Sequence, residues 1–374
     1  MKNIIDLAIL KKREHTKKED ARGAFFRDTT AIIHSYPFRR LKHKTQVFFA
    51  PSNDHICTRI EHVMHVASIS SSICKGLNLD DELAWAIGMG HDLGHTPFGH
   101  VGEWVLNDLN AQHGGFIHEV YSLRVVDYLA EYGRGLNLTY AVRDGIISHC
   151  GEKFEQYIIP DQRVKDLHKI TNRDSTPSTW EASVVRIADK IAYLGRDYED
   201  AVKLKIIAPD TLPSSVVNLI GSSNAEIINN LVQNVIKSSN VEKGIGFSDN
   251  IYESVCLLKE HNYNYIYKSP LLSEYHTYFE RIMKLIYEYL EDIFIKNGFN
   301  IELYRKERNL LSVRFGDYVQ KMKNFYELID GGFEQIVCDY LAGMSDNYAL
   351  DCVNEILQPK YMENQFNRFM MERD

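Results

Sequence analysis

Apolar residues recur along most of this chain at the three-to-four-residue spacing of a helix, and no stretch sustains the two-residue alternation of a half-buried strand. In 58–75, Ile60, Val63, Ala67 and Ile73 fall on or near one face, with Gly76 as a natural stop. Further helical runs are expected over 79–89, 103–109, 120–132 and 141–148. Residues 178–203 open on Ser-Thr-Trp-Glu, a capping-box pattern, and bring Val184, Ile187, Ile191 and Leu194 to one side. From 208 on, helices follow one another between turn signals near 221–224, 237–249 and 268–270, with 275–294 a long one and 333–344 closing at Gly343. Residues 1–30 read as a charged, solvated lead-in. Between 151 and 177 the pattern lapses into polar residues and two prolines, as in an irregular insertion that serves as a lid or an oligomer contact. The fold class expected is all-α.

Composition narrows the setting. The chain has 374 residues, 44% hydrophobic and 25% charged, enough for one large domain or two ordinary ones. Only 9 prolines and no long Gly/Ser tract argue against a flexible two-domain string. No run of 18 apolar residues suggests a membrane span. The first residues place a short apolar part before a basic one, the reverse of a secretory signal. The six cysteines are scattered singly, as in reduced proteins, so a cytoplasmic location without membrane contact is expected. A net charge of −8 argues against a broad nucleic-acid-binding face. Histidine changes the picture: eleven of 15 lie between His34 and His149, where an even spread would put about 5. Histidine is the commonest metal ligand, so the first half is where chemistry is expected.

The densest stretch is AIGMGHDLGHTPFGH (86–100), with His91, Asp92, His95 and His100. His91 and Asp92 would point about 100° apart in mid-helix, so both reach one ion only at a helix end, which Gly94, Pro97 and Gly99 supply. His62 sits among the apolar positions of the preceding helix, with Arg59 a turn earlier. Asp189, Tyr193 and Asp197 fall at i, i+4 and i+8 and share a face; buried carboxylates there need a metal or a network, and a surface stripe is the bland alternative. Residues 35–49 are rich in Arg, Lys and aromatics and suit either phosphate binding or simple core anchoring with solvated cations. His62, His91, Asp92 and Asp189 offer two imidazoles and two carboxylates, a set for one hard or borderline divalent ion that leaves positions for water. His95, His100, His118, Arg59 and Lys190 would neutralise phosphate charge and protonate a leaving oxygen. The substrate class is then a phosphate ester or anhydride.

The pattern H…HD…D, carried by His62, His91-Asp92 and Asp189, resembles the HD-domain phosphohydrolases. More narrowly, PFRRLKHKTQVF (37–48), HDLGHTPFGHVGE (91–103), GGFIHEVYSLRVV (114–126), LNLTYAVRDGIISH (136–149), ADKIAYLGRDYEDA (188–201) and DYLAGMSDNYAL (339–350) resemble, in order, the dGTPase-like deoxynucleoside triphosphate triphosphohydrolases. The resemblance implies an N-terminal segment with a substrate-binding stretch (1–54), an HD helical core (55–205) and an additional C-terminal helical region packed on it (206–374). It implies metal ligation by His62, His91, Asp92 and Asp189, the ion being Mn, Mg, Fe, Co, Ni or Zn. His118 would sit beside the α-phosphate as catalytic histidine, supported by His95, His100 and Glu103. Arg59 and Lys190 would hold phosphates. Gln46, with Val47 beside it, and Asp197 would bind the sugar and its 3′-hydroxyl, and Tyr193 would pack on the 2′ carbon. Glu103 as a helix-surface acid and Gln46 as a plain loop residue are the bland alternatives. His55, His65, His113, His149 and His168 match no assigned role and are expected to be solvated or structural. Thr96 replaces a common proline and Glu119 a common asparagine. The expected reaction converts a dNTP, dGTP first, to deoxynucleoside and triphosphate. Another nucleotide phosphohydrolase, acting on monophosphates or cyclic nucleotides, and a nucleotide-sensing or single-strand-binding HD protein are the alternatives. A homo-oligomer is implied, with room for a nucleotide activator and weak contact with single-stranded nucleic acid.

Overall fold

Helix ends are set by caps, and the caps decide where the histidines stand. The computed structural model describes residues 1–18, 20–49, 53–151, 154–307, 309–328 and 333–358. In the first half, α1 (Ala24–His34), α2 (Arg59–Leu77), α3 (Asp81–Gly90), α4 (His100–Leu109), α5 (His118–Arg124) and α6 (Tyr140–Ile147) precede the long α7 (Trp180–Lys203). Beyond it lie α8 (Asn224–Ser238), α9 (Asp249–Asn262), α10 (Pro270–Asn297), α11 (Leu310–Leu328), α12 (Phe333–Ala342) and α13 (Asp346–Leu357). Among the described residues the strands are Tyr157–Ile158 and Ile245–Gly246, paired antiparallel. The fold is all-α, as expected, and no helix is long and apolar enough to cross a membrane among the described residues.

α7 runs through the core against α2, α3, α6 and α8, with Val184, Ile187, Ala188, Ile191 and Leu194 fully buried. α2 and α3 cross closely because position 88 is glycine: a Cβ there would lie 2.7 Å from the Cα of Ala67. That crossing sets the helix of His62 beside the end of the helix before His91. A capping box of Thr58 and Glu61 starts α2. Its stop is Asn78, in the left-handed region at φ 54°, and not the expected Gly76, which instead gives room to Ile236. α7 likewise starts one residue later than its sequence pattern suggests. Thr179 accepts from Ala182 N at 3.1 Å, while the Ser178 hydroxyl donates to Asp144 at 3.0 Å.

The lead-in is not merely solvated. The Asn3 amide donates to Glu181 at 2.7 Å, and the Trp180 indole donates to the carbonyl of Lys2 at 3.2 Å. The C-terminal helices join the same apolar core, which runs from Leu10 to Cys352. Two buried polar straps tie them to the first half. Lys44 Nζ donates to the carbonyls of His95 and Ala342. Asp346 accepts from Phe98 N at 2.9 Å and from Thr45 N at 2.8 Å. In 35–49 the apolar residues Pro37, Phe38, Leu41 and Phe48 are buried and Arg39, Arg40, Lys42 and His43 exposed, the anchoring pattern.

Candidate active site

A cavity of about 540 Å³ opens between α2, α4, α7 and α10. Of the residues expected at the site, Gln46, Val47, Arg59, His62, Asp92, His95, His100, His118, Asp189, Tyr193 and Asp197 line it. His91 and Glu103 stand directly behind the wall, and Lys190 lies apart.

His91 ends α3 with helical dihedrals, after which the chain turns through Asp92–Gly99. Its Nδ1 lies 2.8 Å from the carbonyl of Gly88, which can only accept, so Nδ1 carries the proton and Nε2 the lone pair. That Nε2 is buried without a hydrogen-bond partner. Burial holds the ring neutral, with its pKa lowered to about 4. His62 Nε2 is 2.9 Å from Asp189 Oδ1, and His91 Nε2 is 4.0 Å from the same oxygen. Burial opposes ionisation of Asp189, but His62 outweighs it and draws the pKa down to about 2. Asp92 is shared: Oδ2 takes Arg59 at 2.5 Å, while Oδ1 faces the Nε2 atoms of His91 at 3.7 Å, His149 at 3.8 Å and His118 at 3.9 Å. The donor atoms of His62, His91 and Asp189 lie within 4.8 Å of one another, as do those of His91, Asp92 and His149. An unpartnered, proton-free imidazole nitrogen among carboxylates and other imidazoles fits a divalent ion.

The other half of this end is built on α4 and α5. Gly94 lets the turn reach α5, since a Cβ there would lie 2.2 Å from Ser122 N. Glu103 is no surface acid: it is buried, accepts from His118 N at 3.1 Å, and lies 3.0 Å from His118 Nδ1. Burial works against the ionised Glu103, yet His118 and Arg173 hold its pKa down to about 2. Burial likewise opposes the cation of His118, but Glu119 and Glu103 win and raise its pKa well above the usual value. His95 stacks on His118 at 4.4 Å, and His100 crosses His95 edge-on at 5.2 Å.

At the opposite end, Gln46 Oε1 is buried without a partner. Tyr267 donates to Asp197 at 2.5 Å. Burial raises the pKa of Asp197 to about 7, with Tyr267 pulling the other way. Leu272 and His276 from α10 and the exposed Trp104 complete this wall, beside Phe98, which stacks on Phe279 at 4.3 Å.

Two expected phosphate contacts look different in place. The Arg59 guanidinium is already engaged by Asp92 and by the carbonyls of Thr45 and Gln46. Lys190 follows Asp189 directly, so the helix turns it about 100° away, and its Nζ donates to Glu155 at 2.8 Å. Conversely, His149 was expected to be solvated or structural, but it lines the cavity, with its Nδ1 donating to the carbonyl of Ile146 at 2.6 Å. Sequence reasoning also missed Tyr267, His276, Trp104 and Arg173. The motif ending GIISH offered a signal for His149; the others sit in no diagnostic pattern.

A helical fold that brings a histidine, a His-Asp pair and a later aspartate together at the wall of one cavity defines an HD-domain phosphohydrolase. The HD domain family matches residues 59–194, and the phosphohydrolase-associated domain family matches 245–355. The chain belongs to the deoxyguanosinetriphosphate triphosphohydrolase-like family. It is 37% identical to the member from Caldanaerobacter subterraneus subsp. tengcongensis, covering 92% of this chain and 87% of that one. It is 36% identical to that of Desulfatibacillum aliphaticivorans (91% and 89% covered) and 34% to that of Clostridium tetani (92% and 88%).

Proposed function

We propose that this protein hydrolyses deoxynucleoside triphosphates to a deoxynucleoside and inorganic triphosphate, using a divalent ion held by His62, His91, Asp92 and Asp189. The observation that carries this reading is the division of one cavity: a charged His/Asp/Glu end and, along the Asp189–Tyr193–Asp197 stripe, an end suited to a sugar and a base. The name shared by the relatives makes dGTP the first substrate to test.

When bound, the ion supplies a Lewis acid for a phosphoryl oxygen and lowers the pKa of water. The remaining work falls to the chain. Water adds its oxygen to the α-phosphorus, giving up a proton to solvent, and the bond from phosphorus to the 5′ oxygen breaks. Glu103 fixes the Nδ1–H of His118, which turns Nε2 toward the cavity beside Asp92. A protonated His118 hands its Nε2 proton to the departing 5′ oxygen. His95 and His100 set further imidazole edges near the phosphate charge. Gln46 Oε1 and Asp197 offer hydrogen bonds to the 3′-hydroxyl, and the Tyr193 ring closes the space a 2′-hydroxyl would need.

The test is product analysis with the four dNTPs and GTP, with and without Mn²⁺, beside Asp189→Ala. Deoxynucleoside plus triphosphate, absent with the variant, supports the reading. Monophosphate or diphosphate products that vanish with the variant would replace it with another HD phosphohydrolase activity.

A further inference from the structure

We infer that Arg173, on the irregular 154–177 segment, is a positioning residue for His118, acting as the shared counter-charge of Glu103 and Glu119. The inference rests on the reading of His118 as the group that faces the reacting phosphate. Arg173 itself does not line the cavity.

Two acids compete for one imidazole N–H at His118. His118 Nδ1 carries at most one hydrogen, yet two buried carboxylates face it: Glu103 Oε2 at 3.0 Å and Glu119 Oε2 at 3.3 Å. Glu119 is fully buried, and neither of its oxygens has an aligned hydrogen bond. Two carboxylates around one imidazole would repel each other and compete for its one N–H, and the losing group would be an uncompensated buried charge. A second cation removes the conflict. The Arg173 terminal nitrogen pairs with Glu103 Oε1, and its Nε lies 2.8 Å from Glu119 Oε1. One guanidinium therefore spans both acids from the side away from the cavity. Glu103, which also accepts the backbone N–H of His118, is left as the acceptor for Nδ1–H, and Nε2 stays aimed at Asp92.

The turn that presents Arg173 is held by other contacts. Asn172 accepts from Asp174 N at 3.1 Å, Arg186 donates to the carbonyl of Ser175 at 3.1 Å, and Lys165 Nζ donates to that of Thr176 at 2.6 Å. Shortening Arg173 thus leaves the turn anchored and removes the charge.

The experiment compares the full-length wild type, Arg173→Ala, Arg173→Lys and the double variant Arg173→Ala/Glu119→Gln. Each is assayed with dGTP and with bis(p-nitrophenyl) phosphate, both with Mn²⁺; the second substrate reports on the phosphohydrolase centre whatever the natural one. Arg173→Ala is expected to lower kcat roughly 10- to 100-fold, in the range for partners that orient a reacting group, with KM changed less than about twofold. Arg173→Lys should fall between. Neutralising Glu119 in the double variant removes the competing charge and should recover most of the lost kcat, which a merely structural arginine would not allow. An unchanged kcat in Arg173→Ala, or a double variant no better than the single one, overturns the inference. If only the chromogenic diester is cleaved, the dNTP reading fails and the diester decides on Arg173. A wild type inert toward both overturns the two together.

Discussion

The two ends of the cavity are built on opposite electrostatic plans. At the His/Asp end each of three carboxylates is held by a cation or an imidazole: Asp92 by Arg59, Asp189 by His62, Glu103 by His118 and Arg173. At the end lined by Tyr193 and Asp197, the buried Asp197 carboxyl has a tyrosine for its hydrogen-bond partner, and burial raises its pKa to about 7. The first end arranges charge in advance of the reaction, which is where an enzyme gains rate. The second offers shape and hydrogen bonds, which discriminate between substrates. Damage at one end should therefore appear in kcat and damage at the other in substrate preference.

The largest effect is expected from Asp189, one of the proposed ligands. Asp189→Ala should reduce dNTP turnover by on the order of a thousandfold, about 4 kcal/mol of lost transition-state stabilisation. Isothermal titration should show weakened Mn²⁺ binding in the same variant; wild-type affinity would remove Asp189 from the ligand set. Chelation of the wild type should likewise abolish turnover and lower Tm, because an ion that binds only the folded chain stabilises it. Next, Glu103→Gln should lower kcat roughly 10- to 100-fold with little change in KM, since it leaves the shape of the sugar end alone. A loss confined to KM would show that the two ends are not functionally separate.

At the other end, Tyr193→Ala should raise the ratio of GTP to dGTP turnover roughly tenfold by opening space at the 2′ carbon. Competition assays measure that ratio directly, and an unchanged value would move the deoxy selector elsewhere. The smallest effect concerns pH. The folded pKa of Asp197, about 7, lies above its unfolded value near 3.9. The unfolded chain therefore ionises first, and this group's contribution to stability is whole below about pH 4 and lost as pH rises through about 7. Between pH 5 and 8 the wild type should lose a few degrees of Tm relative to Asp197→Asn. Parallel melting curves would mean the carboxyl does not titrate there.

Much of the cavity lining was legible because its residues keep helical registers. His62 lies on an apolar stripe, His91-Asp92 fall where a helix must end, and Asp189, Tyr193 and Asp197 repeat every four residues. The same logic misplaced neighbours. Lys190 adjoins Asp189 in sequence, but helix rotation sends it to Glu155. Gly76 and Ser178 were plausible caps, and packing against Ile236 and the Asp144 carboxylate moved the boundaries to Asn78 and Thr179. Arg173 could not be read from local pattern, because it meets the site only through tertiary contacts. The late motif 339–350 was recognisable by resemblance alone. Its physical reason is Asp339, which grips Arg124 through both oxygens, and Asp346.

Asp346 has a consequence for synthesis. It accepts from Thr45, next to Gln46 and Val47, and from Phe98, whose φ of 60° is unusual for a residue with a side chain. A nascent chain that has made every HD-motif residue still lacks the acceptor that holds these two segments. The cavity wall is completed only when residue 346 has left the ribosome and folded back across most of the sequence, a late and long-range closure.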